Sequence, residues 1–192
     1  MMFVIPANFI GNFKIGDNIV FNMNIVSALY QSKNSLEPDE RNLLVKPIVT
    51  TLASICEAIL YDFNFRINRH TIEGIPSLSD RVISAIRTKE YDEFEQLIAC
   101  SKKHDFFEPT SAAFYDDLHK MRKIRNRIHI QNKKHDTPPD EHDLFSDAIL
   151  RLAERCTEKI IRVMANKYPR SKTARGYVAD LHIPWSEHFP GT

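Results

Sequence analysis

The sequence predicts an all-α fold, and its composition and hydrophobic spacing are the observations that predict it. Five glycines stand beside twelve phenylalanines, a balance that favours regular helices over a turn-rich β fold. Apolar residues recur at helical spacing through most of the chain, and 192 residues with 43% hydrophobic content suit one core. We therefore predict one helical domain over residues 1–192, with a bundle at 17–168 between an extended arm at 1–16 and an irregular tail at 169–192.

The first helix is predicted to follow the arm directly. Residues 1–16 show no helical period and contain Gly11 and Gly16, so we expect them to lie extended on the body of the protein. Asp17 is the predicted N-cap, because its carboxylate can accept hydrogen bonds from the free amides of a first turn. Apolar spacing carries this helix to about Lys33.

The second helix is the predicted centre of the bundle. Pro38 with acidic neighbours marks its entry, and apolar residues on more than one face extend it to about Arg66, with Pro47 as the candidate site of a kink. Glu57 lies among these apolar residues. A carboxylate there either reaches a solvent edge or faces an arginine that it orients, and the sequence leaves both interpretations open.

Further helices are predicted along the rest of the chain. Two short ones are expected at about 80–88 and 90–103, and the acidic residues of this region should form a solvated face; they are Glu90, Asp92, Glu93 and Glu95. A helix opening at Thr110-Ser111 turns an apolar stripe toward the core; its residues are Phe114, Leu118, Met121, Ile124 and Ile128. A proline loop at 136–141 and a last helix at about 141–167 follow, and Trp185 of the tail covers the core or packs on a partner chain.

The cysteines indicate a reducing compartment. Cys56, Cys100 and Cys156 are odd in number, far apart and each in an apolar helical context, which is typical of buried, reduced thiols. The apolar start of the chain lacks the features of a secretory signal, and no apolar run approaches the roughly 18–20 residues of a membrane span. We therefore expect a cytoplasmic protein with no membrane partner.

A local surplus of positive charge distinguishes residues 120–134. The whole chain is nearly balanced, with 26 basic and 25 acidic residues. This stretch has no acid, and its basic residues are Lys120, Arg122, Lys123, Arg125, Arg127, Lys133 and Lys134. A nearly neutral chain with one basic patch is typical of a confined anion site rather than of a protein that coats nucleic acid.

Helical spacing would bring three chemically suitable side chains to one side of this stretch. Arg122 and His129 are seven residues apart, so on an α-helix they fall within roughly 20° of each other, and Arg125 lies on the same side. Arginine binds phosphate oxygens in planar, bidentate geometry, and histidine exchanges a proton near neutral pH. Because RNA carries its own nucleophile in the 2′-hydroxyl, these groups suffice in principle to cleave it without a metal or another cofactor.

Arg122, six intervening residues and His129 resemble the Arg-x4–6-His signature of HEPN domains. The late amphipathic helix with an Arg125-Asn126 pair, followed by a loop and a final helix, resembles the setting of that motif over about residues 17–168. The resemblance implies an all-α bundle acting as a metal-independent endoribonuclease, whose products carry a 2′,3′-cyclic phosphate and a 5′-hydroxyl. It further implies a homodimer with two motifs facing across a cleft, a role as a toxin or antiphage effector, and an antitoxin partner of nucleotidyltransferase-like type.

Residue chemistry and this resemblance define one candidate site. Its catalytic residues are Arg122, Arg125, Asn126 and His129, its substrate-binding residues are Lys123, Arg127 and Lys133, and its orienting residue is Glu57. Arg122 has the family spacing and Arg125 precedes an asparagine, so either is a candidate for the motif arginine. No metal is expected, since the spacings of His129, His135 and His142 match no helical ligand pair.

Two other functions remain open at this point. A non-catalytic HEPN-like module would use the same basic face to bind RNA, a nucleotide or an acidic partner. A purely structural interaction protein would dock through the tail that contains Trp185, and its basic stretch would be an ordinary solvated face. RNA cleavage that depends on His129 separates the first hypothesis from both.

Overall fold

A computed structural model describes residues 3–69, 75, 77–107, 112–128, 140–171 and 177–190. The helices of this part are α1 (Phe13–Ser35), α2 (Val45–Arg69), α3 (Asp80–Arg87), α4 (Phe94–Lys103), α5 (Ala112–Arg125), α6 (Glu141–Leu144) and α7 (Asp147–Lys167). The 3-10 helices Pro38–Leu44 and Asn126–Ile128 precede α2 and follow α5, and strands β1 (Phe3–Ile5) and β2 (Leu181–Ile183) form a two-stranded sheet. The prediction of an all-α fold is confirmed.

Helix α2 is the centre of the packing. It contacts α1, α3, α4, α5 and α7. Its buried apolar side chains point to more than one face and include Ile48, Leu52, Ile55, Ile59, Leu60 and Phe63. The chain changes from 3-10 to α geometry at Val45, so Pro47 lies in the first turn of α2, where helix amides lack intrahelical partners. Pro47 therefore lies in the first turn of the helix and not in its interior, where a kink was predicted.

Helix α1 begins earlier than predicted. Asn12, not Asp17, is its N-cap, because the Asn12 side-chain oxygen accepts hydrogen bonds from the amides two and three residues later, at 3.1 and 3.3 Å. Gly16 lies inside the helix rather than in the arm. A Cβ at this position would come within 2.7 Å of Val178 Cγ2, so the glycine lets the tail pass directly over α1. The arm therefore ends at residue 12.

A buried carboxylate on α2 holds the arm. Asp62 is 1% exposed, and its two oxygens accept hydrogen bonds from the backbone amides of Gly11 and Asn12, at 2.7 and 2.8 Å. One turn later, Nη1 of Arg66 donates to the carbonyl oxygen of Phe9 at 2.7 Å. These bonds satisfy backbone groups of a segment that has no helix of its own. The arm is thereby fixed along α2.

A second buried carboxylate, on α7, holds the tail. Glu158 is fully buried and accepts hydrogen bonds from Arg162 Nε (2.9 Å), Trp185 Nε1 (3.3 Å) and the amides of His188 and Phe189 (3.0 and 3.2 Å). A buried charge is tolerated only when such donors replace water. Trp185 therefore covers the core of its own chain.

The tail is also more regular than predicted. Strand β2 pairs antiparallel with β1, with Phe3 opposite Ile183 and Ile5 opposite Leu181. Ile5, Leu181 and Ile183 are buried, so the alternating inner residues of both strands add to the core. The expectation of an irregular tail is wrong for this segment, which pairs with the arm.

The later helices differ from the predicted ranges in two places. Helix α4 begins at Phe94, several residues after the predicted start. The predicted last helix is two helices, because the chain leaves helical geometry at Phe145, whose ring is buried, and Ser146 then caps α7. Residues 110 and 111, and the prolines of the predicted loop, lie outside the described part of the chain.

One helical stretch has the length and composition of a membrane span. Pro38–Arg69 contains a window with a mean hydropathy of 1.8, half of which is buried inside the fold. By this measure the prediction that no apolar run approaches such a span is wrong. A core helix meets the same measure, and α2, which makes up most of this stretch, packs against helices on several sides.

Replacing Glu158 with alanine should lower the free energy of unfolding by at least about 3 kcal/mol, because the Trp185 indole and two backbone amides lose their acceptor. Urea denaturation followed by circular dichroism measures this loss. Glu187→Ala is the matched control, since Glu187 also pairs with Arg162 but is 38% exposed, and it should lose less than about 1 kcal/mol. Equal losses in the two variants would contradict the role of Glu158.

The cysteines should resist alkylation while the protein is folded. Cys56, Cys100 and Cys156 are free and buried. Burial raises the pKa of the Cys56 thiol to about 12 and that of Cys156 well above its ordinary value, so little reactive thiolate forms near neutral pH. Mass spectrometry after iodoacetamide treatment should show adducts in urea and none in native buffer. Rapid labelling of Cys56 in native buffer would show that the core is open there.

Candidate functional site

Helix α5 places the two predicted arginines at the edge of the core. Its apolar stripe packs against α2, α4 and α7 and is buried as its spacing predicted; the described residues of the stripe are Phe114, Leu118, Met121 and Ile124. Arg122 and Arg125 lie on the adjoining face. Both line one pocket of about 260 Å³, together with Asn126, and we call it the arginine pocket.

Arg125 is held in a fixed orientation by Glu57 of α2. Arg125 Nη2 lies 2.7 Å from Glu57 Oε2, and Nη1 lies 3.2 Å from Oε1. The two side chains are 28% and 23% exposed. Two such bonds fix the plane of a guanidinium as well as its position. Of the two interpretations that the sequence left open for Glu57, the structure shows the one in which it faces an arginine.

Arg122 is held less firmly. Its Nη1 lies 3.2 Å from Oε2 of Glu95 at the start of α4, and the Glu95 side chain is 58% exposed. Exposed pairs of this kind contribute little to stability. Arg122 Nε is buried and has no hydrogen-bond partner within the residues that the structure describes. Arg122 therefore keeps a donor that Glu95 does not use.

Acidic residues also line the arginine pocket, although the stretch 120–134 contains none. Asp92 and Glu93, from the segment before α4, lie in the lining with Glu57 and Glu95. The residues of the predicted acidic face are exposed, yet three of them face the site. Carboxylates from distant parts of the chain therefore outnumber the two guanidinium groups in this lining.

The α-helix on which Arg122 and His129 were predicted to align ends before His129. Helix α5 ends at Arg125, the next residues form a 3-10 helix, and Arg127 has φ −84° and ψ 16°. Because a 3-10 helix turns by about 120° per residue, the α-helical angle between positions 122 and 129 no longer applies. His129 and Lys133 lie outside the described residues.

Lys123 and Arg127, the other predicted substrate-binding residues of this stretch, are placed differently. Lys123 is exposed and Arg127 is half-buried, and neither is in the lining of the arginine pocket. Nη1 of Arg127 is buried without a hydrogen-bond partner in the described part of the chain. The structure thus brings together Arg122, Arg125 and Asn126, and leaves these two beside them.

One histidine near the arginine pocket was not among the predicted site residues. His119 is half-buried and lies three residues before Arg122 on α5. Burial lowers the pKa of its imidazole, the positive charge of Arg122 lowers that pKa further, and the charge of Glu95 acts in the opposite direction. The sequence did contain a signal, since residues three apart are neighbours on a helix surface.

Among the described residues, no group of three or more His, Cys, Asp or Glu side chains is arranged to hold a metal ion. His142, considered and set aside as a ligand in the sequence, lies 3.7 Å from Asp143 on an exposed surface. Comparisons with protein-family models, with curated proteins and with solved structures find no match.

The Glu57–Arg125 pair should stabilise the fold more than the Glu95–Arg122 pair. Glu57→Ala should lower the free energy of unfolding by about 1–2 kcal/mol, between the values for exposed and buried pairs. Glu95→Ala should change it by less than about 0.5 kcal/mol. Chemical denaturation of both variants makes the comparison. Removing Arg125 in addition to Glu57 should recover part of the free energy of unfolding that is lost in Glu57→Ala. Losses that simply add up for the two substitutions would contradict direct pairing.

Proposed function

We propose that this protein is a metal-independent endoribonuclease of HEPN type, with the arginine pocket as its phosphate-binding site. One observation carries the proposal: Glu57 fixes the guanidinium of Arg125 in the same pocket as Arg122 and Asn126. His129 follows within four residues of Arg125 in the sequence. A positioned donor group lowers the barrier because it needs no reorganisation when charge develops on the phosphate.

Arg125 is the phosphate ligand in this proposal, since its plane is already fixed. The 2′-oxygen of the RNA attacks the adjacent phosphorus while the bond from phosphorus to the 5′-oxygen breaks. His129 takes the proton of the 2′-hydroxyl, the departing 5′-oxygen takes a proton from solvent, and the imidazolium of His129 then releases its proton to solvent. The products are a 2′,3′-cyclic phosphate and a 5′-hydroxyl, and no water is consumed in this step.

The carboxylates of the arginine pocket determine how a phosphate would enter it. An incoming diester has to compete with Glu95 for Arg122 and with Glu57 for Arg125. Glu95 is the more exposed of the two and forms a single contact, so exchange is easier at Arg122. Arg122, with its unused Nε donor, is then the arginine that exchanges its carboxylate for the substrate. Arg125 stays paired with Glu57 and binds the scissile phosphate through the N–H groups that Glu57 does not use.

Further parts of the proposal are supported by the resemblance of the motif to HEPN domains. They are a homodimer with two motifs facing one cleft, a role as a toxin or defence effector in the cytoplasm, and an antitoxin of nucleotidyltransferase-like type. A dimer would supply a second set of arginines to the same substrate. This would add positive charge to a pocket whose own carboxylates outnumber its guanidinium groups.

A non-catalytic binding module is the second candidate function. The observation that favours it is the ion pairing of both motif arginines, which leaves neither guanidinium fully available to a phosphate. In this case the exposed Lys123, with Arg127 and Lys133, would bind RNA or an acidic partner by charge. Such binding would weaken strongly with salt.

The purified protein should cleave single-stranded RNA in the presence of EDTA. His129→Ala should lower the rate at least about 100-fold, the range typical of a lost general base. Arg125→Ala should lower it more than Arg122→Ala, because the proposal places the scissile phosphate on Arg125. Gel electrophoresis of end-labelled RNA gives the rates and the chemical form of the product ends. His119→Ala is the matched histidine control and should retain near-normal activity.

Three outcomes would contradict this assignment. Full activity in His129→Ala, with circular dichroism showing an intact fold, would exclude it as the base. Loss of activity in His119→Ala alone would move the proton transfer to α5. Salt-sensitive binding of RNA without any cleavage product would favour the binding module.

A further inference from the structure

A second pocket, beside the arginine pocket, has an aromatic wall. It has a volume of about 490 Å³ and lies between the C-terminal half of α2 and the segment that follows α3. We call it the aromatic pocket; the residues that define it are Tyr61, Phe65, Arg69, Arg87 and Lys89. The proposed cleavage chemistry assigns no role to these side chains.

The aromatic wall is a ladder of flat groups on one face of α2. Tyr61, Phe65 and Arg69 are each four residues apart, so they are neighbours on the helix surface. The rings of Tyr61 and Phe65 stack with centroids 6.2 Å apart and planes at 26°. The guanidinium carbon of Arg69 lies 5.9 Å from the centre of the Phe65 ring. Flat, half-exposed rings beside a guanidinium are a surface on which nucleobases stack.

The lining of the aromatic pocket also contains basic residues from α3 and the segment after it. Arg87 and Lys89 are exposed there, and Nε of Arg87 donates to the carbonyl oxygen of Ile67 at 3.4 Å. That bond fixes the Arg87 side chain while its terminal nitrogens form no ion pair within the described residues. With Arg69, the cations outnumber the carboxylates of the lining, which are Glu90 and Asp92. The charge balance is the reverse of that in the arginine pocket and favours an anion.

Tyr91 and two amides, Asn64 and Asn68, also line the aromatic pocket. The side chain of Asn64 is already hydrogen-bonded within the protein. Its Nδ2 donates to the Leu60 carbonyl at 2.9 Å, and its Oδ1 accepts from Cys100 Sγ at 3.5 Å. The side chain of Asn68, one turn later and half-buried, makes no hydrogen bond with other described residues. Its amide offers both donors and an acceptor. This is the group that could pair with the polar edge of a base.

The aromatic pocket and the arginine pocket each share lining residues with a third pocket, and we call the three together the groove. A mainly apolar pocket of about 360 Å³ lies between them and is lined by Glu57, which also lines the arginine pocket, and by Tyr61. Asp92 lies in the lining of all three. One extended ligand can therefore reach both ends of the groove.

We infer that the aromatic pocket holds one nucleotide of a single-stranded RNA, with its base against Tyr61 and Phe65 and its phosphate at Arg87 and Lys89. The groove connects this nucleotide to the phosphate at Arg125, and this connection rests on the proposed function. A free mononucleotide offers the same base and phosphate. A competition experiment distinguishes binding of an RNA strand from binding of a free mononucleotide.

The test uses an RNA that cannot be cleaved, a fluorescent 2′-O-methyl oligonucleotide of about 12 nucleotides, which is within the range of single-strand binding sites. Fluorescence anisotropy measures its Kd. Tyr61→Leu keeps an apolar side chain but removes the ring, and should weaken binding about tenfold. Tyr61→Phe keeps the ring and should bind like the unmodified protein. Equal binding by the leucine and phenylalanine variants would overturn stacking.

The phosphate contact has its own matched pair of variants on α3. Arg87→Ala should weaken binding and reduce the slope of log Kd against log salt by about 0.7, the value for one phosphate contact on a single strand. Arg81→Ala removes an exposed arginine outside the aromatic pocket and should change neither quantity. Equal effects of the two variants would mean that the charge acts non-specifically and would overturn the inference.

The mononucleotide arm uses adenosine 5′-monophosphate as a competitor. Because it has only one phosphate, it should displace the labelled oligonucleotide only at a higher concentration than unlabelled oligonucleotide does. Tyr61→Leu should weaken the binding of this mononucleotide as well. Binding of the mononucleotide without binding of the oligonucleotide would overturn the assignment to a strand.

Failure of this inference can be told from failure of the proposed function. Tyr61-dependent binding by a protein that cleaves no RNA supports the nucleotide site and refutes the nuclease. Cleavage that His129→Ala abolishes and Tyr61→Leu leaves unchanged, with unchanged Kd, supports the nuclease and overturns the nucleotide site.

Asp92 tests the continuity of the groove. Its carboxylate lies where a bound strand would pass between the two ends, so Asp92→Asn should tighten oligonucleotide binding about two- to fivefold by removing a repulsive charge. Asp39→Asn, an exposed change in the 3-10 helix before α2, is the control and should leave Kd unchanged. Unchanged or weaker binding in Asp92→Asn would overturn the path along α2.

Discussion

The arrangement of the chain depends on the hydrogen bonds that the fully buried carboxylate of Glu158 accepts. A charge without access to water is stable only if protein donors replace its hydration, and the donors here come from α7 itself and from the tail. Glu154, one turn earlier, accepts a hydrogen bond from the Tyr30 hydroxyl and lies 2.8 Å from Nε2 of His188. The tail is therefore tied to α7 and, through Tyr30, to α1.

Asp62 provides the same kind of anchor on α2. Burial raises the pKa of its carboxyl, while the amides of Gly11 and Asn12 act in the opposite direction, so the arm supplies the groups that offset the cost of burying this charge. Because α2 and α7 pack against each other, the two anchored segments meet. Their meeting forms the sheet of β1 and β2, and Gly16 leaves the space in which the tail crosses α1.

Hydrophobic periodicity predicted the parts of the fold that are set by local sequence. The buried stripe of α5 and the apolar faces of α2 follow directly from residues that recur at helical spacing. Hydrophobic periodicity could not predict contacts between residues that are distant in the sequence. Nothing near Arg122 in the sequence indicates that Glu95 pairs with it. Nor does the local sequence show that the amides of Gly11 and Asn12 donate to Asp62, 50 or more residues away, at the point where Asn12 caps α1.

The pairing of β1 with β2 has a consequence for the order in which the protein can be completed during synthesis. The bond between the Ala7 amide and Asp180 joins positions 173 residues apart, so β1 emerges from the ribosome long before its partner exists. Helices α2, α4 and α5, which build the arginine pocket, are synthesised in that interval. A nascent chain thus carries both the site and an unpaired strand edge, which is a surface prone to association with other chains. Arrival of the tail closes that edge.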